Sequence, residues 1–294
     1  MNLLKKLGIA MMLLTMIFAF AGCGGSSQGE GEEQATEATE AAEKTEVKVF
    51  AAASMQSSLE ELEKSFEAEN PDVDILLNCD SSGTLKTQIE EGAPCDVFFS
   101  AAQKQMDELA EKGLVNEESR QNVLNNQLVV ITQPDSETAV TGLDNLKDAK
   151  SIALADGSVP VGKYTRQALI KIGTLEEVED PATITTQQVS DALGGVEISE
   201  QGNVSKVLTA VEEGSCEVGT VYLSDTYGHE DSVKIIQEVP YDVTGDIIYP
   251  IAQINNPDAS EEETGVAAKV LEFFTNDDAK ALYDKHLFDT DVEK

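Results

Sequence analysis

Apolar runs that end at a small polar residue and continue directly into an amphipathic helix recur along this chain. The first run, residues 47–53, stops at Ser54, and apolar residues then return at helical spacing while charged residues fill the other face. The apolar positions of this helix are Met55, Leu59, Leu62 and Phe66. The pattern predicts a strand followed by a helix with Ser54 as its N-cap, a position where serine is common without any further role.

The same change from extended to helical spacing occurs three more times. Residues 75–80 lead through a serine pair into a helix, and residues 152–155 lead in the same way into a helix over 161–172. A fourth helix follows Asn203 in a looser version of the pattern. Free N–H groups at a helix start bind anions, and the carboxyl ends of strands are where an open α/β sheet binds its ligand. The repetition therefore favours a ligand site over four unrelated caps.

The order of strands and helices predicts an α/β fold of two lobes with a hinge and a cleft between them. Residues 47–127 and 226–294 are predicted to form lobe 1, and residues 128–225 to form lobe 2. The strand 128–131 carries the chain into lobe 2, and the strands and helices after residue 225 return it to lobe 1. The serine-bearing helix starts of the two lobes are then expected to face each other across the cleft.

The first 46 residues predict export and attachment to a membrane. Two lysines precede the apolar run 7–21, which is shorter than the about 20 residues of a membrane span and is typical of a signal peptide over residues 1–22. Cys23 then follows a segment that resembles a bacterial lipoprotein signal box, in which this cysteine is lipidated; a plain secretory signal is the alternative. The acidic segment 23–46 lacks large apolar residues and predicts a disordered tether. We therefore expect an exported protein, lipid-anchored to the outer face of the cell membrane or periplasmic.

Composition excludes several functions. The chain carries 55 acidic and 20 basic residues, a formal net charge of −35, which makes nucleic acid a poor partner and leaves the lipid anchor as the only expected membrane contact. Its two histidines, His229 and His286, belong to no motif with metal-ligand spacing. An enzyme with Ser54 or Ser82 as nucleophile would need a histidine partner, and neither serine is the central residue of a Gly-x-Ser-x-Gly motif. We therefore expect neither a bare metal site nor catalysis.

Cysteine usage decides little. Once Cys23 is assigned to lipid, Cys79, Cys95 and Cys216 remain, an odd number for an exported protein. The pattern allows a disulfide between Cys79 and Cys95 or three free thiols.

Several short motifs together resemble the periplasmic molybdate-binding proteins of ABC importers. The resemblance extends over residues 47–290 and rests on residues 51–54, 81–85, 92–98, 159–164 and 219–222. It implies the two-lobed type II periplasmic binding protein fold and a monomer that binds molybdate or tungstate as a ligand, with no cofactor. It also implies an ABC permease and its ATPase as partners.

The resemblance also implies which residues bind the anion. Ser54 and Ser82 would each offer a hydroxyl and a neighbouring backbone amide, Val161 and Val204 a backbone N–H, and Tyr222 its hydroxyl. Such a donor-only pocket suits a dianion that carries only acceptor oxygens, and it leaves the proton of hydrogen phosphate unpaired. Sulfate is also fully deprotonated and differs by its smaller radius, so a sulfate receptor is the alternative. A ferric ion or a sugar acid would call for tyrosine pairs or arginine, which these positions lack.

Two positions depart from the family pattern. Gly83 stands where a serine is expected, and Asp80 stands where a small residue is expected. Because Asp80 brings a negative charge close to an anion site, we expect its carboxylate to point away from the site or to be paired.

Overall fold

The computed structural model describes residues 44–292. The predicted signal peptide, the lipidation site Cys23 and almost all of the tether lie outside the described residues. Within the described chain, two five-stranded mixed sheets with surrounding helices form the predicted α/β architecture of two lobes. No helix of residues 44–292 has both the length and the apolar character that crossing a membrane requires.

The first sheet has the strand order β2-β1-β3-β10-β4. Strands β1, β2 and β3 are parallel, and β10 runs antiparallel to both of its neighbours. Val47 and Val49 of β1 are completely buried, and the predicted apolar stripe is confirmed because all four of its residues, Met55 just before α1 and the three within it, are buried. The elements of this lobe are β1 Thr45–Ala52, α1 Gln56–Glu69, β2 Val73–Asp80, α2 Ser82–Glu90, β3 Val97–Phe99, α3 Gln103–Glu111, β4 Gln121–Leu124, β10 Tyr249–Gln253, α8 Glu261–Thr275 and α9 Asp277–Lys285.

The second sheet has the strand order β7-β6-β8-β5-β9. Strand β5, which lies between β8 and β9, is buried over its whole length, and residues 128–131 are apolar, which is typical of a strand covered on both faces. The elements of this lobe are β5 Leu128–Thr132, β6 Ser151–Ala155, α4 Pro160–Lys171, α5 Thr186–Ala192, β7 Glu197–Gln201, α6 Val204–Glu212, β8 Val218–Tyr222 and β9 Lys234–Glu238, and the short helix α7 Tyr241–Thr244 follows β9.

Strand β9 corrects the predicted assignment of residues 226–294 to lobe 1. It pairs antiparallel with β5 at the edge of the second sheet. The chain therefore crosses back to the first sheet after residue 238 rather than at residue 226. The residues of β9 are exposed or half-buried, so the strand has no strong hydrophobic pattern that reveals its partner.

The cysteine alternatives are resolved within the described residues, where Cys79, Cys95 and Cys216 are free thiols. Burial raises the pKa of Cys79 to about 12, so this thiol remains protonated at neutral pH. It is therefore a poor nucleophile, and the fold stands without a disulfide in this part of the chain.

Candidate functional site

A small cavity lies where helix starts of the two lobes meet. It contains about 210 Å³ of space outside protein atoms, open solvent included, so it suits a ligand of few atoms. Its lining carries no charged side chain among the described residues. The lining residues are Ala52, Ala53, Ser54, Ser81, Ser82, Ala101, Val159, Pro160, Val161, Val204 and Tyr222. The structure thus brings all five residues of the predicted anion site to one cavity.

Ser54 reaches the cavity from a tight turn between β1 and α1. The prediction that it caps a helix is wrong, because Ser54 lies inside a one-turn 3-10 helix, Ala53–Met55, whose N-cap position is Ala52. Its Oγ is instead 2.9 Å from the hydroxyl of Tyr249, which comes from β10 of the same sheet. The extra turn moves the N-cap two residues earlier, from Ser54 to Ala52, and leaves the Ser54 side chain free of a capping role.

Ser82 is the first residue of α2. The cap of this helix is Ser81, whose Oγ accepts a hydrogen bond from the backbone N–H of Thr84 at 3.1 Å. Ser82 Oγ accepts from the backbone N–H of Ala101 at 2.9 Å. Because that N–H occupies a lone pair of the Ser82 oxygen, the Ser82 proton remains available to a ligand.

The second lobe contributes two helix starts. Helix α4 begins with Pro160 and continues with Val161, and helix α6 begins with Val204 after its N-cap Asn203. Asn203 Oδ1 accepts from the N–H of Lys206 at 3.0 Å. The first N–H groups of a helix have no intrahelical acceptor and carry the positive end of the helix dipole. Both valines can therefore act through their N–H groups.

Tyr222 ends β8 and is 1% exposed. Its hydroxyl finds no hydrogen-bond partner in the described part of the chain. Burial raises its pKa well above the usual range, so the hydroxyl keeps its proton and can donate. A buried polar group without a partner costs about 1–3 kcal/mol, so this hydroxyl points to a missing acceptor in the cavity.

Sequence reasoning missed the residues behind the lining. Tyr249 and Asn126 are completely or almost completely buried, and Asn126 Nδ2 donates to Tyr249 Oη at 3.1 Å. Asp225 accepts from the backbone N–H of Tyr222 at 2.8 Å, and burial raises the pKa of its carboxyl to about 7. At neutral pH this carboxyl is therefore partly protonated and adds less than a full negative charge behind the site. No local motif marks Tyr249 and Asn126, because the hydrogen bond between them joins positions far apart along the chain.

Asp80 is paired, as expected, and its partner lies across the cleft. Its Oδ1 accepts from the backbone N–H of Ser81 at 2.7 Å and from Nδ2 of Asn203, in the other lobe, at 2.9 Å. The carboxylate therefore joins the start of α2 to the start of α6. A second contact across the cleft is the ion pair between Lys104 and Asp180, with 2.6 Å between Nζ and Oδ2.

Gly83 marks the closest approach of the two lobes. A Cβ at this position would lie 2.9 Å from the backbone oxygen of Ser158 in the second lobe. A serine, which the family pattern leads one to expect, would clash there. The glycine thus allows the start of α2 to approach the start of α4 closely.

A wider groove beside the cavity carries basic residues. Lys86, Lys104 and Lys163 line it together with Glu108 and Asp180. Lys86 pairs with Glu108 and Lys104 with Asp180, so carboxylates offset most of the positive charge in the groove.

Comparison with known proteins agrees with this geometry. A family model described as bacterial extracellular solute-binding protein matches residues 47–288. The molybdate-binding protein ModA of Haemophilus influenzae is 30% identical over 240 residues, which cover 76% of this chain and 87% of that protein. A putative ABC transporter substrate-binding lipoprotein of Bacillus subtilis, YvgL, is 28% identical over 97% of this chain and 98% of its own length.

A solved structure shows a similar fold. The substrate-binding domain of a putative molybdenum ABC transporter from Clostridium difficile superimposes with a TM-score of 0.60 at 29% identity, over 84% of this chain and 99% of that domain. The predicted two-lobed type II periplasmic binding protein fold is therefore confirmed.

Proposed function

The chain belongs to the family of bacterial extracellular solute-binding proteins, and on that premise we propose that it binds molybdate or tungstate outside the cytoplasm and delivers the anion for import by an ABC transporter. The observation that carries the proposal is the buried, unpaired hydroxyl of Tyr222 in an uncharged cavity lined by hydroxyls and helix starts. The similarity to a protein named as molybdate-binding supports the choice of ligand.

The donors of the cavity match the chemistry of such an anion. Molybdate and tungstate are dianions that offer only acceptor oxygens, and the cavity offers the protons of Ser54, Ser82 and Tyr222 together with the N–H groups of Val161 and Val204. Hydrogen bonds to a charged group contribute roughly 1.5–3 kcal/mol each. A handful of them offsets the loss of the anion's hydration and supports roughly micromolar to nanomolar binding without any cation.

Sulfate is the second candidate ligand, because it has the same charge and also carries no proton at neutral pH. The donor pattern does not separate sulfate from molybdate, and only the size of the cavity does. Tungstate is nearly the same size as molybdate, so both are proposed as ligands.

The remaining features of the proposal concern location and partners. A lipid on Cys23 would hold the protein at the outer face of the cell membrane, and the relative named as a lipoprotein supports this location. An ABC permease with its ATPase would receive the anion from the monomeric binding protein. Among residues 44–292, the lining of the anion cavity includes no histidine, which supports binding without catalysis.

Titration calorimetry of the full domain with sodium molybdate, tungstate and sulfate tests the ligand. We expect tight binding of the first two and much weaker binding of sulfate. Ser82→Ala removes one donor and should weaken molybdate binding by roughly 1.5–3 kcal/mol. Ser65→Ala is the matched control, because the exposed Ser65 only bonds back to its own helix, and its affinity should equal that of the wild type.

Equal affinity for sulfate and molybdate would replace the proposed ligand with sulfate. Unchanged molybdate affinity in Ser82→Ala would place the anion outside this cavity.

A further inference from the structure

A series of buried hydrogen bonds connects Asn126 to Tyr249 and Tyr249 to Ser54, which lines the anion cavity. We propose that Asn126 and Tyr249 are positioning residues that hold the Ser54 hydroxyl as a hydrogen-bond donor toward the bound oxyanion, and so help to reject oxyanions that carry a proton. The inference rests on the proposed function and concerns residues that do not touch the ligand.

The orientation of the Asn126 side chain fixes the direction of the first hydrogen bond in this series. Its Oδ1 accepts from the backbone N–H of Gln127 at 2.9 Å, and a backbone N–H can only donate. The amide nitrogen must then face the other way, where it lies 2.8 Å from Ser224 Oγ and 3.1 Å from Tyr249 Oη. Since an amide NH₂ group can only donate, Tyr249 Oη accepts this hydrogen bond.

Tyr249 in turn fixes the direction of the second hydrogen bond, the one to Ser54. Its side chain is 0% exposed, and burial raises its pKa well above the usual range, so the hydroxyl keeps its proton. Within residues 44–292, the acceptor in reach of that proton is Ser54 Oγ at 2.9 Å. Tyr249 therefore donates to Ser54, which fills a lone pair of the serine oxygen and leaves the serine proton to point into the cavity.

Ser82 reaches the same state by a simpler route. The backbone N–H of Ala101 occupies its oxygen, so its proton is also left for a ligand. Each of the two serines thus has one lone pair filled and its proton left for the ligand, Ser82 through a peptide group and Ser54 through the Asn126–Tyr249 pair. A hydroxyl that accepts a hydrogen bond is also a stronger donor, because the bonds of such a chain polarise one another.

This arrangement has a consequence for selectivity. A hydroxyl that is free to turn can offer its lone pair to the proton of hydrogen phosphate or hydrogen arsenate. When Tyr249 donates to Ser54, it fills one of the two lone pairs of the serine oxygen, which makes that oxygen a poorer acceptor for a further proton and a better donor. We call the two hydrogen bonds from Asn126 to Tyr249 and from Tyr249 to Ser54 the relay. The relay favours fully deprotonated oxyanions, because a protonated one is left with an unpaired O–H group.

A double-mutant cycle tests the relay, with titration calorimetry against sodium molybdate as the measurement. Tyr249→Phe should lower the affinity about three- to tenfold, and the same change in a Ser54→Ala background should lower it no further. Tyr249→Phe should also reduce the preference for molybdate over inorganic phosphate, which a purely structural role would not do. Tyr283→Phe is the matched control: its buried hydroxyl donates to the Phe274 carbonyl at 3.1 Å, away from the cavity, and its loss should leave affinity and preference unchanged.

Additive losses in the double variant, or an unchanged affinity in Tyr249→Phe, would overturn the relay. If Tyr249→Phe does not fold, Asn126→Leu takes its place in the same cycle, with an expected loss of about two- to fivefold that again vanishes beside Ser54→Ala. Failure of the wild type to bind molybdate would instead overturn the proposed function, so the two failures are distinguishable.

Discussion

At the scale of single residues, Tyr222 is the clearest sign of a ligand. Most buried hydroxyls in folded proteins have a partner, and the contrast with Tyr283, whose hydroxyl donates to a carbonyl, shows that this chain follows the rule elsewhere. An unpaired hydroxyl that lines a cavity stabilises nothing in the empty protein. It contributes only when an acceptor arrives.

Tyr222→Phe should therefore affect binding and folding in opposite ways. We expect molybdate affinity to fall about tenfold, because one donor to the anion is lost, while the melting temperature of the ligand-free protein stays the same or rises slightly. Tyr283→Phe should do the reverse, since it removes a satisfied buried hydrogen bond and no ligand donor. A lower melting temperature with unchanged affinity in Tyr222→Phe would make this residue an ordinary core tyrosine.

The sequence predicts the lining of the cavity better than its support. Ser54, Ser82 and Tyr222 lie in short motifs, so local pattern and family resemblance together locate them. Tyr249 and Asn126 lie in no such motif. The hydrogen bond between Ser54 and Tyr249 joins residues 195 positions apart, and the one between Asn126 and Tyr249 joins residues 123 positions apart. Contacts of this range follow from the packing of the two sheets and cannot be read from a local pattern.

At the scale of elements, periodicity predicts most helices and buried strands but neither the edge strand β7 nor the sheet to which β9 belongs. Strand β5 is apolar up to its last residue, Thr132, and stands out, whereas β7 is a mostly exposed edge strand of sequence Glu-Ile-Ser-Glu-Gln that has little apolar signal. Strand β9 at the opposite edge is assigned to the wrong lobe for the same reason. What the pattern does predict, helix starts gathered at strand ends, is what forms the site.

The approach of α2 to the second lobe gives a test of lobe closure. Gly83→Ala places a Cβ 2.9 Å from the Ser158 carbonyl oxygen, and a backbone atom cannot turn aside as a side chain can. We expect about a tenfold loss of molybdate affinity, because the bound arrangement is strained, together with a small gain in stability of the free protein from the better helix former. Both are measured on one sample by titration calorimetry and thermal unfolding.

Gly265→Ala is the control for this prediction. Gly265 lies in α8, and a Cβ there would meet nothing within 4 Å. The substitution should give the same small gain in stability with wild-type affinity. Wild-type affinity in Gly83→Ala as well would mean that the anion is bound without this close approach of the lobes.

At the scale of the whole molecule, the chain carries a net charge of −35, whereas its proposed ligand is a dianion. The attraction comes from short-range donors, whereas the repulsion acts over the Debye length, which is about 8 Å at physiological salt and about 30 Å near 0.01 M. The lysines of the groove beside the cavity are largely paired with carboxylates and do little to reverse the long-range field.

The association rate of molybdate should therefore rise with added sodium chloride, opposite to a ligand that is steered by attraction. Stopped-flow tyrosine emission is a suitable signal, because the chain has six tyrosines and no tryptophan and Tyr222 lies in the cavity. A rate that falls steadily with salt would show that Lys163 and its neighbours in the groove govern the approach of the anion. Lys163→Gln would then abolish the salt dependence.

The division of the cavity wall between the two lobes also determines how the bound anion is released. Ser54 and Ser82 stand on one side, and Val161, Val204 and Tyr222 stand on the other. Separation of the two sides by a few ångströms removes three hydrogen-bond donors at once, at roughly 1.5–3 kcal/mol each. The affinity for the anion then falls about a thousandfold to a millionfold. A transporter that opens the lobes thus needs no competing ligand and no chemical change in the anion to empty the receptor. Mechanical separation of the lobes alone therefore converts the protein from a state that binds the anion tightly to one that releases it.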